Sequence, residues 1–584
     1  MARSQARAAD GAARDVLSSE VGYIRKPHGG RLRVALAFPN TYFVGMSNLG
    51  FQTVYRLFNE LEGVVCERVF LPGRQELASH LASGTPLRTV ESGTLVRDFD
   101  ILAFSVSFEW DYTNVVSMLR LAGVPVRAEK RTKHDPLVVI GGAVTFVNPE
   151  PLAPFADVIT AGEGEVLIPA LMRALGDASD RDDLYRRLAA ERGMYIPSFY
   201  EVRYAADGTI AAFEPKPGTG APAVVKKAAV KSTDHLDPPA TTIFTPDTEF
   251  GSRFLIEVVR GCANLCRFCW AGYNYLPVRP FPADRILELA RAARVHSNKV
   301  GLVSIALCDH PEIDRILSGL MEMGYAISPA SLRLDDLTDS IVSKLQASGE
   351  RSITIAPETG SDRLRRVINK TVTNAEILEK TDLIFANGID NLKLYYMIGL
   401  PTETDDDLAA IRDLTGQMRD IMMGHARPKG HIGRIVASVN PLIPKPGTAY
   451  QWLPMEDPAI TDRKGKRLRN LVADLDNVYF NIKSERHSYY QALMSLGDRR
   501  VAPAIEAAER NGGNWRAAVA ESGIDADFYI FRDRSADTML PWDIIDGGMK
   551  ATFFRNEFDK GLREEWTLPP KRSSENKKFL PVLS

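Results

Sequence analysis

Three of the chain's five cysteines fall within eight residues: Cys262, Cys266 and Cys269, in Arg260-Gly-Cys-Ala-Asn-Leu-Cys-Arg-Phe-Cys-Trp270. Thiolates are the soft ligands that iron–sulfur clusters and zinc select. The spacing C-x-x-x-C-x-x-C supplies three ligands, one short of a closed site. Either a distant residue completes the set or one metal position stays open. A structural zinc site usually closes with a fourth Cys or His, and none lies nearby in sequence. Cys66 and Cys308 stand alone, so there is no disulfide framework. Cys308 and His310 follow a short apolar run and are candidates for touching a substrate. The competing reading is buried packing for Cys308 and a loop cap for His310.

The elements that must position these residues form a second α/β block. The run Arg253-Phe-Leu-Ile-Glu-Val-Val259 reads as a strand that delivers the cysteine loop. Gly301–Leu307, Ile327–Leu334, Ser352–Ala356, Asn391–Met397 and Arg434–Asn440 read as further strands, so the block is predicted to hold six. In parallel α/β folds, chemistry is expected at the carboxyl ends of the strands. Those ends carry Ala356-Pro-Glu358-Thr-Gly360-Ser361, Ile398-Gly399-Leu-Pro401-Thr-Glu403 and Asn440-Pro-Leu-Ile-Pro-Lys-Pro-Gly-Thr448.

An earlier block alternates in the same way. Leu32–Phe38, Asp100–Ser107, Pro136–Gly142 and Ala156–Gly162 read as buried strands, with helices near 49–61, 112–121 and 163–175. Alternation implies a doubly wound parallel sheet, whose ligands bind beyond the carboxyl ends of the strands. Asn40, Ser105, Ser107, Gly141, Gly142, Gly162, Glu163 and Gly164 lie at those ends. Between the blocks, Tyr200–Tyr204 and Ile210–Phe213 flank Asp207-Gly208 and read as a hairpin. Pro215–Pro239 reads as a linker. After Pro454 the pattern turns charged, and Thr461–Glu485 reads as one long helix.

The 584 residues fit roughly three domains. We expect an N-terminal arm (1–30), the first α/β domain (31–180), a hairpin and linker (181–240), the second α/β domain (241–455) and a C-terminal extension (456–584). With 45% hydrophobic and 25% charged residues and a net charge of -2, no basic field argues for nucleic acid. No apolar run reaches the ~18 residues of a membrane span. The start lacks the apolar stretch of a secretory signal, and an exposed thiolate site suits a reducing cytoplasm.

The cysteine spacing, with Phe268 just before the last ligand, resembles the radical S-adenosylmethionine (SAM) superfamily. The order of the cysteine loop, Arg333-Leu-Asp-Asp336, the Ala-Pro-Glu-Thr-Gly segment, Lys393–Pro401 and the Pro-Gly-Thr loop carries the likeness over about 253–450. It implies a 4Fe-4S cluster on Cys262, Cys266 and Cys269, with SAM at the fourth iron. Phe268, Glu358, Gly360, Ser361, Gly399 and Pro401 would contact SAM, and Cys308 and His310 are candidate catalytic groups. The loop Ser304–Glu312 departs from the superfamily's Gly-Gly-Glu motif. The earlier block resembles the cobalamin-binding domain found before some radical SAM domains, chiefly through Gly162-Glu-Gly-Glu165. Its strand-end residues named above would then contact cobalamin. The loop Asn40–Ser47 lacks the histidine that ligates cobalt in many such domains.

The fold class implied is α/β: an N-terminal doubly wound parallel sheet of cobalamin-binding type, a central partial (β/α)6 radical SAM barrel and a mostly helical C-terminal extension. The function implied is reductive SAM cleavage to a 5'-deoxyadenosyl radical, used in cobalamin-dependent methylation of an unactivated carbon. An electron donor such as flavodoxin or ferredoxin would serve it, and the substrate is not readable. Alternatives are radical coupling, rearrangement or oxidation without methyl transfer, and a non-catalytic cobalamin or cluster sensor. Too few cysteines remain for a methylthiotransferase or a second cluster.

Overall fold

The computed structural model describes residues 16–567, except 330, 331 and 536. Most of the expected N-terminal arm lies outside that range. The first sheet is built from β1 (Leu32–Phe38), β2 (Val64–Phe70), β3 (Ile101–Ser105), β4 (Leu137–Gly141), β5 (Val158–Thr160) and β6 (Met194–Tyr195), in spatial order 2-1-3-4-5-6. The first five strands are parallel and β6 closes the edge antiparallel to β5. Its crossover helices include α1 (Leu49–Glu60) and α2 (Tyr112–Ala122), and α3 (Gly164–Asp177) follows β5. The strands read as near-continuous apolar runs because both faces are covered. Phe51, Phe58, Leu167 and Leu171 pack one face, and Val115, Leu119 and Phe155 the other. The order reverses between β1 and β3, which opens a crevice at the strand ends.

The expected hairpin is present as β7 (Tyr200–Tyr204) and β8 (Ile210–Pro215), paired antiparallel. The expected linker is packed rather than free. Its β9 (Val225–Lys226) pairs with a strand far down the chain, and Ala228 exchanges backbone hydrogen bonds with Ala161 and Glu163 at 3.0 and 2.9 Å.

The second block holds all six expected strands in order: β10 (Phe254–Arg260), β12 (Lys299–Ser304), β13 (Ala326–Pro329), β14 (Ser352–Glu358), β15 (Asn391–Ile398) and β16 (Ile435–Pro441). The short helix α4 (Trp270–Asn274) follows the cysteine loop, and a short β11 (Arg279–Pro280) adds to the edge of β10. Hydrogen bonding divides the parallel strands into two groups, β10-β12-β13 and β14-β15-β16 with a further strand. Ile327 and Ile353 from the facing strands share one core. The further strand, β17 (Val478–Ile482), corrects the expected long helix at 461–485. Helix α5 (Pro458–Leu471) stops before Asn477, whose φ of +63° turns the chain. Val478-Tyr-Phe-Asn-Ile482 then pairs in parallel with β16. Its β-branched and aromatic residues suit a pleated surface, and the sheet therefore continues past residue 455.

Beyond β17, α6 (Glu485–Leu496) and shorter helices pack on the first sheet, with Leu493, Ile505 and Trp542 in its core. The strand β18 (Ile545–Asp546) pairs with β9, and α7 (Ala551–Leu562) reaches the cysteine loop. Two residues of the C-terminal extension act as clamps. Arg499 holds Glu150 of the first block at 2.8 and 3.0 Å, and Trp542 donates to Gln451 beyond β16 at 2.8 Å. Among the described residues no helix is long and apolar enough to cross a membrane.

Candidate functional site

The strand β10 delivers the cysteine loop as expected. Gly261 turns the chain with φ +94°, and a Cβ there would lie 2.5 Å from the Tyr275 carbonyl oxygen. The loop runs into α4, where the Cys269 sulfur accepts from the Gly272 N–H at 3.4 Å. Cys262 and Cys266 are buried and Cys269 is half-buried. Burial pushes the Cys262 thiol up to about 11 and Cys266 up to about 12, and it raises Cys269 as well. The charges of Cys262 and Cys269 add to the upward shift of Cys266. Among the described residues, no three His, Cys, Asp or Glu side chains converge as ligands of a single ion. Ligands of a cluster each take a different iron and need no common point. The donor set of three neighbouring thiols fits an iron–sulfur cluster, and loading must displace their protons.

Arg267 anchors the loop from behind. Its side chain is fully buried, donates to the Arg366 and Val367 carbonyls at 2.6 and 3.1 Å, and pairs with Glu557 of α7 at 3.1 Å. Phe268 packs against the small apolar cluster of Leu364, Val367, Leu442 and Tyr450.

Glu358 closes β14 with φ +65°, a conformation uncommon outside glycine. Burial pushes its carboxyl up, partly offset by Lys370, whose Nζ lies 3.4 Å away. Burial alone would lower Lys370, but Glu358 and Cys266 raise it. A half-buried opposite-charge pair thus acts on the Cys266 thiol. Lys370 is not among the residues the sequence picks out, because only its proximity to Cys266 in space singles it out.

The other expected SAM contacts have structural duties. A Cβ on Gly360 would lie 2.1 Å from the Ala410 backbone. Ser361 caps the helix Asp362–Ile368. Gly399 has φ +77° and donates its N–H to Glu403 at 2.8 Å, and Pro401 follows in the same turn. His310 is a correction. Its Nδ1 accepts from the Glu312 N–H at 3.0 Å and its Nε2 meets the Phe281 carbonyl at 2.7 Å. Both ring nitrogens are committed to backbone, so the ring fastens a loop and has no free position for proton transfer. Cys308 is buried in the barrel core beside Leu307 and Ile313.

A cavity of 560 Å³ opens at the strand ends of the first sheet. Ser105, Ser107, Gly141, Gly142, Gly162, Glu163 and Gly164 all line it, with Val259, Arg260 and Gly261 of the cysteine strand opposite. Asn40 does not. Its amide donates to Asp111 at 2.9 Å, and Asn48 lines the cavity instead, donating to Ser107 at 3.1 Å. The sequence motif marked the strand end, but Asn48 opens the following helix and carries no motif. The glycines are explained by neighbouring backbone: Cβ atoms at Gly142 and Gly162 would lie 2.2 and 2.0 Å from the carbonyl oxygens of Val106 and Ala228. Glu163 is held by Arg279 at 2.7 Å and Arg260 at 3.2 Å, which ties the first sheet to the residue preceding Gly261-Cys262.

Residues 256–415 match the family model for the radical SAM superfamily, and residues 50–197 match the model for the N-terminal region of radical SAM proteins. The chain is thus a radical SAM enzyme, and that superfamily's cofactors are a 4Fe-4S cluster and SAM. It is 27% identical over 439 residues to the uncharacterized protein MJ0966 of Methanocaldococcus jannaschii, covering 74% of this chain and 86% of that one. Among solved structures it is similar to the cobalamin-dependent SAM radical enzyme OxsB with aqua-cobalamin bound, at 15% identity and a TM-score of 0.45. That alignment covers 66% of this chain and 52% of OxsB, so the chain spans about half the length of that protein. It is also similar to the radical SAM methyltransferase TsrM of Kitasatospora setae, at 13% identity and a TM-score of 0.43, covering 70% of this chain and 72% of that one.

Proposed function

We propose that Cys262, Cys266 and Cys269 hold the 4Fe-4S cluster, that Glu358 and Lys370 face the polar end of SAM, and that the 560 Å³ cavity takes a corrinoid. When bound, these groups supply a 5'-deoxyadenosyl radical and a transferable methyl group, so the reaction is methylation of an unactivated carbon. The observation that carries this reading is the shared wall. Arg260 and Gly261 line the cavity at the strand ends of the first sheet and directly precede Cys262.

The chain's residues hold and orient rather than react. The Lys370 ammonium and the Glu358 carboxylate are complementary to a carboxylate and an ammonium group on one ligand. The Arg260–Glu163–Arg279 network keeps the corrinoid wall and the cysteine loop in register. Among the described residues no histidine lines the cavity, so a corrinoid there would lack a histidine ligand from its wall.

The test is anaerobic reconstitution with iron, sulfide and hydroxocobalamin, followed by SAM and a reductant. The expected result is one corrinoid retained per chain and deoxyadenosine released. Deoxyadenosine released by protein that retains no corrinoid would reject methyl transfer and favour radical chemistry without it.

A further inference from the structure

A second, smaller cavity of 100 Å³ lies beside the first and shares Ser107 and Ala143 with it. Trp270, next to Cys269, forms another wall, and Lys445, Gln491 and Ser495 close it from the loop after β16 and from α6. Distant parts of the chain therefore meet here, beside the first cavity and against the residue that follows Cys269.

Glu109, Gln491 and Ser495 are buried and Lys445 is half-buried, and their polar groups are incompletely matched. Lys445 forms an ion pair with Glu109 and donates to the Ser495 hydroxyl at 3.1 Å. An ammonium carries three protons, and the described residues supply acceptors for two of them. Gln491 is 5% exposed, and its amide nitrogen donates to Glu109 at 3.3 Å. Its Oε1 has no hydrogen-bond partner among the described residues. An amide flip does not relieve this, because it would set oxygen against the Glu109 carboxylate. Lys445 keeps that carboxylate ionised: burial alone would raise it, but the net direction is down. A buried acceptor without a partner is costly, so the site is complete only when a donor enters.

We propose that this cavity binds a carboxamide group of the substrate, its carbonyl accepting from Lys445 and its N–H donating to Gln491 Oε1. One free donor and one free acceptor match a carboxamide. A carboxylate has no proton for Gln491, and an ammonium has no acceptor for Lys445. The Lys445–Glu109 pair leaves the site neutral, which suits an uncharged group. The substrate role rests on the radical SAM reading above; the carboxamide preference does not, since binding is read without turnover.

The test is saturation-transfer NMR on the reconstituted full chain with propionamide, N,N-dimethylpropionamide and propionate as probes. Propionamide is expected to bind saturably and at least tenfold tighter than the other two. Gln491→Met is expected to weaken propionamide at least tenfold while the circular dichroism and cluster absorbance stay unchanged. If that variant misfolds, the comparison of the three probes on the native chain decides. Absence of saturable propionamide binding, equal binding of the dimethyl amide, or undiminished binding by a folded Gln491→Met protein would overturn the proposal and leave a water-filled cavity. A failed deoxyadenosine assay with propionamide selectivity intact would instead remove the radical SAM reading and keep the pocket.

Discussion

Arg267, one residue after Cys266, lies 3.1 Å from the carboxylate of Glu557, and both side chains are buried to within 1% of completely. The contact joins the cysteine loop to a helix 290 residues later in the chain. The last described helix therefore belongs to the architecture of the candidate cluster site.

Removing one partner of a buried pair leaves the other charge uncompensated, at a cost of about 3–5 kcal/mol. Glu557→Ala is expected to lose stability of that order in urea unfolding and to retain less iron after reconstitution. Unchanged iron content would show that α7 does not brace the loop it touches.

Two glycines of one helix region should respond oppositely to alanine. At Gly162, φ is +139° and a Cβ would lie 2.0 Å from the Ala228 oxygen; at Gly176 nothing lies within 4 Å. Gly162→Ala is expected to destabilise by more than ~1 kcal/mol and to weaken corrinoid retention. Gly176→Ala, inside α3, is expected to be neutral or stabilising by up to ~1 kcal/mol. Urea unfolding of the two variants checks both signs.

Lys227 is buried under the first cavity's wall, and burial lowers it from 10.5 to about 8. Between those values the unfolded chain binds the proton and the folded chain does not, so stability rises with pH. The whole interval corresponds to on the order of 3 kcal/mol. The unfolding free energy of the native chain minus that of Lys227→Met is expected to rise by that order from pH 8 to 10.5. A flat difference would show that Lys227 keeps its ordinary proton affinity.

Lys370 is assigned to the polar end of SAM. A hydrogen bond between charged groups contributes about 1.5–3 kcal/mol, so Lys370→Met is expected to weaken SAM binding by roughly 10–100-fold with iron content unchanged. Equilibrium dialysis with labelled SAM reads the first and iron analysis the second.

Four strands of the first sheet were legible because parallel strands buried on both faces are apolar without interruption, as in Val34–Phe38 and Ile101–Phe104, whereas β2 carries Glu67 and Arg68 in its middle and was not read as a strand. The cysteine loop was legible because its ligands are adjacent in sequence. What was hidden was assembled across long separations. Lys370 reaches Cys266 only through the fold, Gln491 meets Glu109 across 382 residues, and Asn48 takes the place expected for Asn40. Of the two readings open for His310, its contacts favour the loop cap, since both nitrogens serve backbone groups. The seventh strand was concealed by the charged residues of α5, whose helical pattern continues up to the Asn477 turn.

The central claim is that the three-thiol loop carries the chemistry. Its most direct test is deoxyadenosine release from SAM by anaerobically reconstituted native protein and by Cys266→Ala, with iron content and the visible absorbance of the cluster recorded for each. The account predicts release and a brown chromophore in the native protein, and loss of both in Cys266→Ala. A variant that keeps the cluster and still cleaves SAM would contradict it.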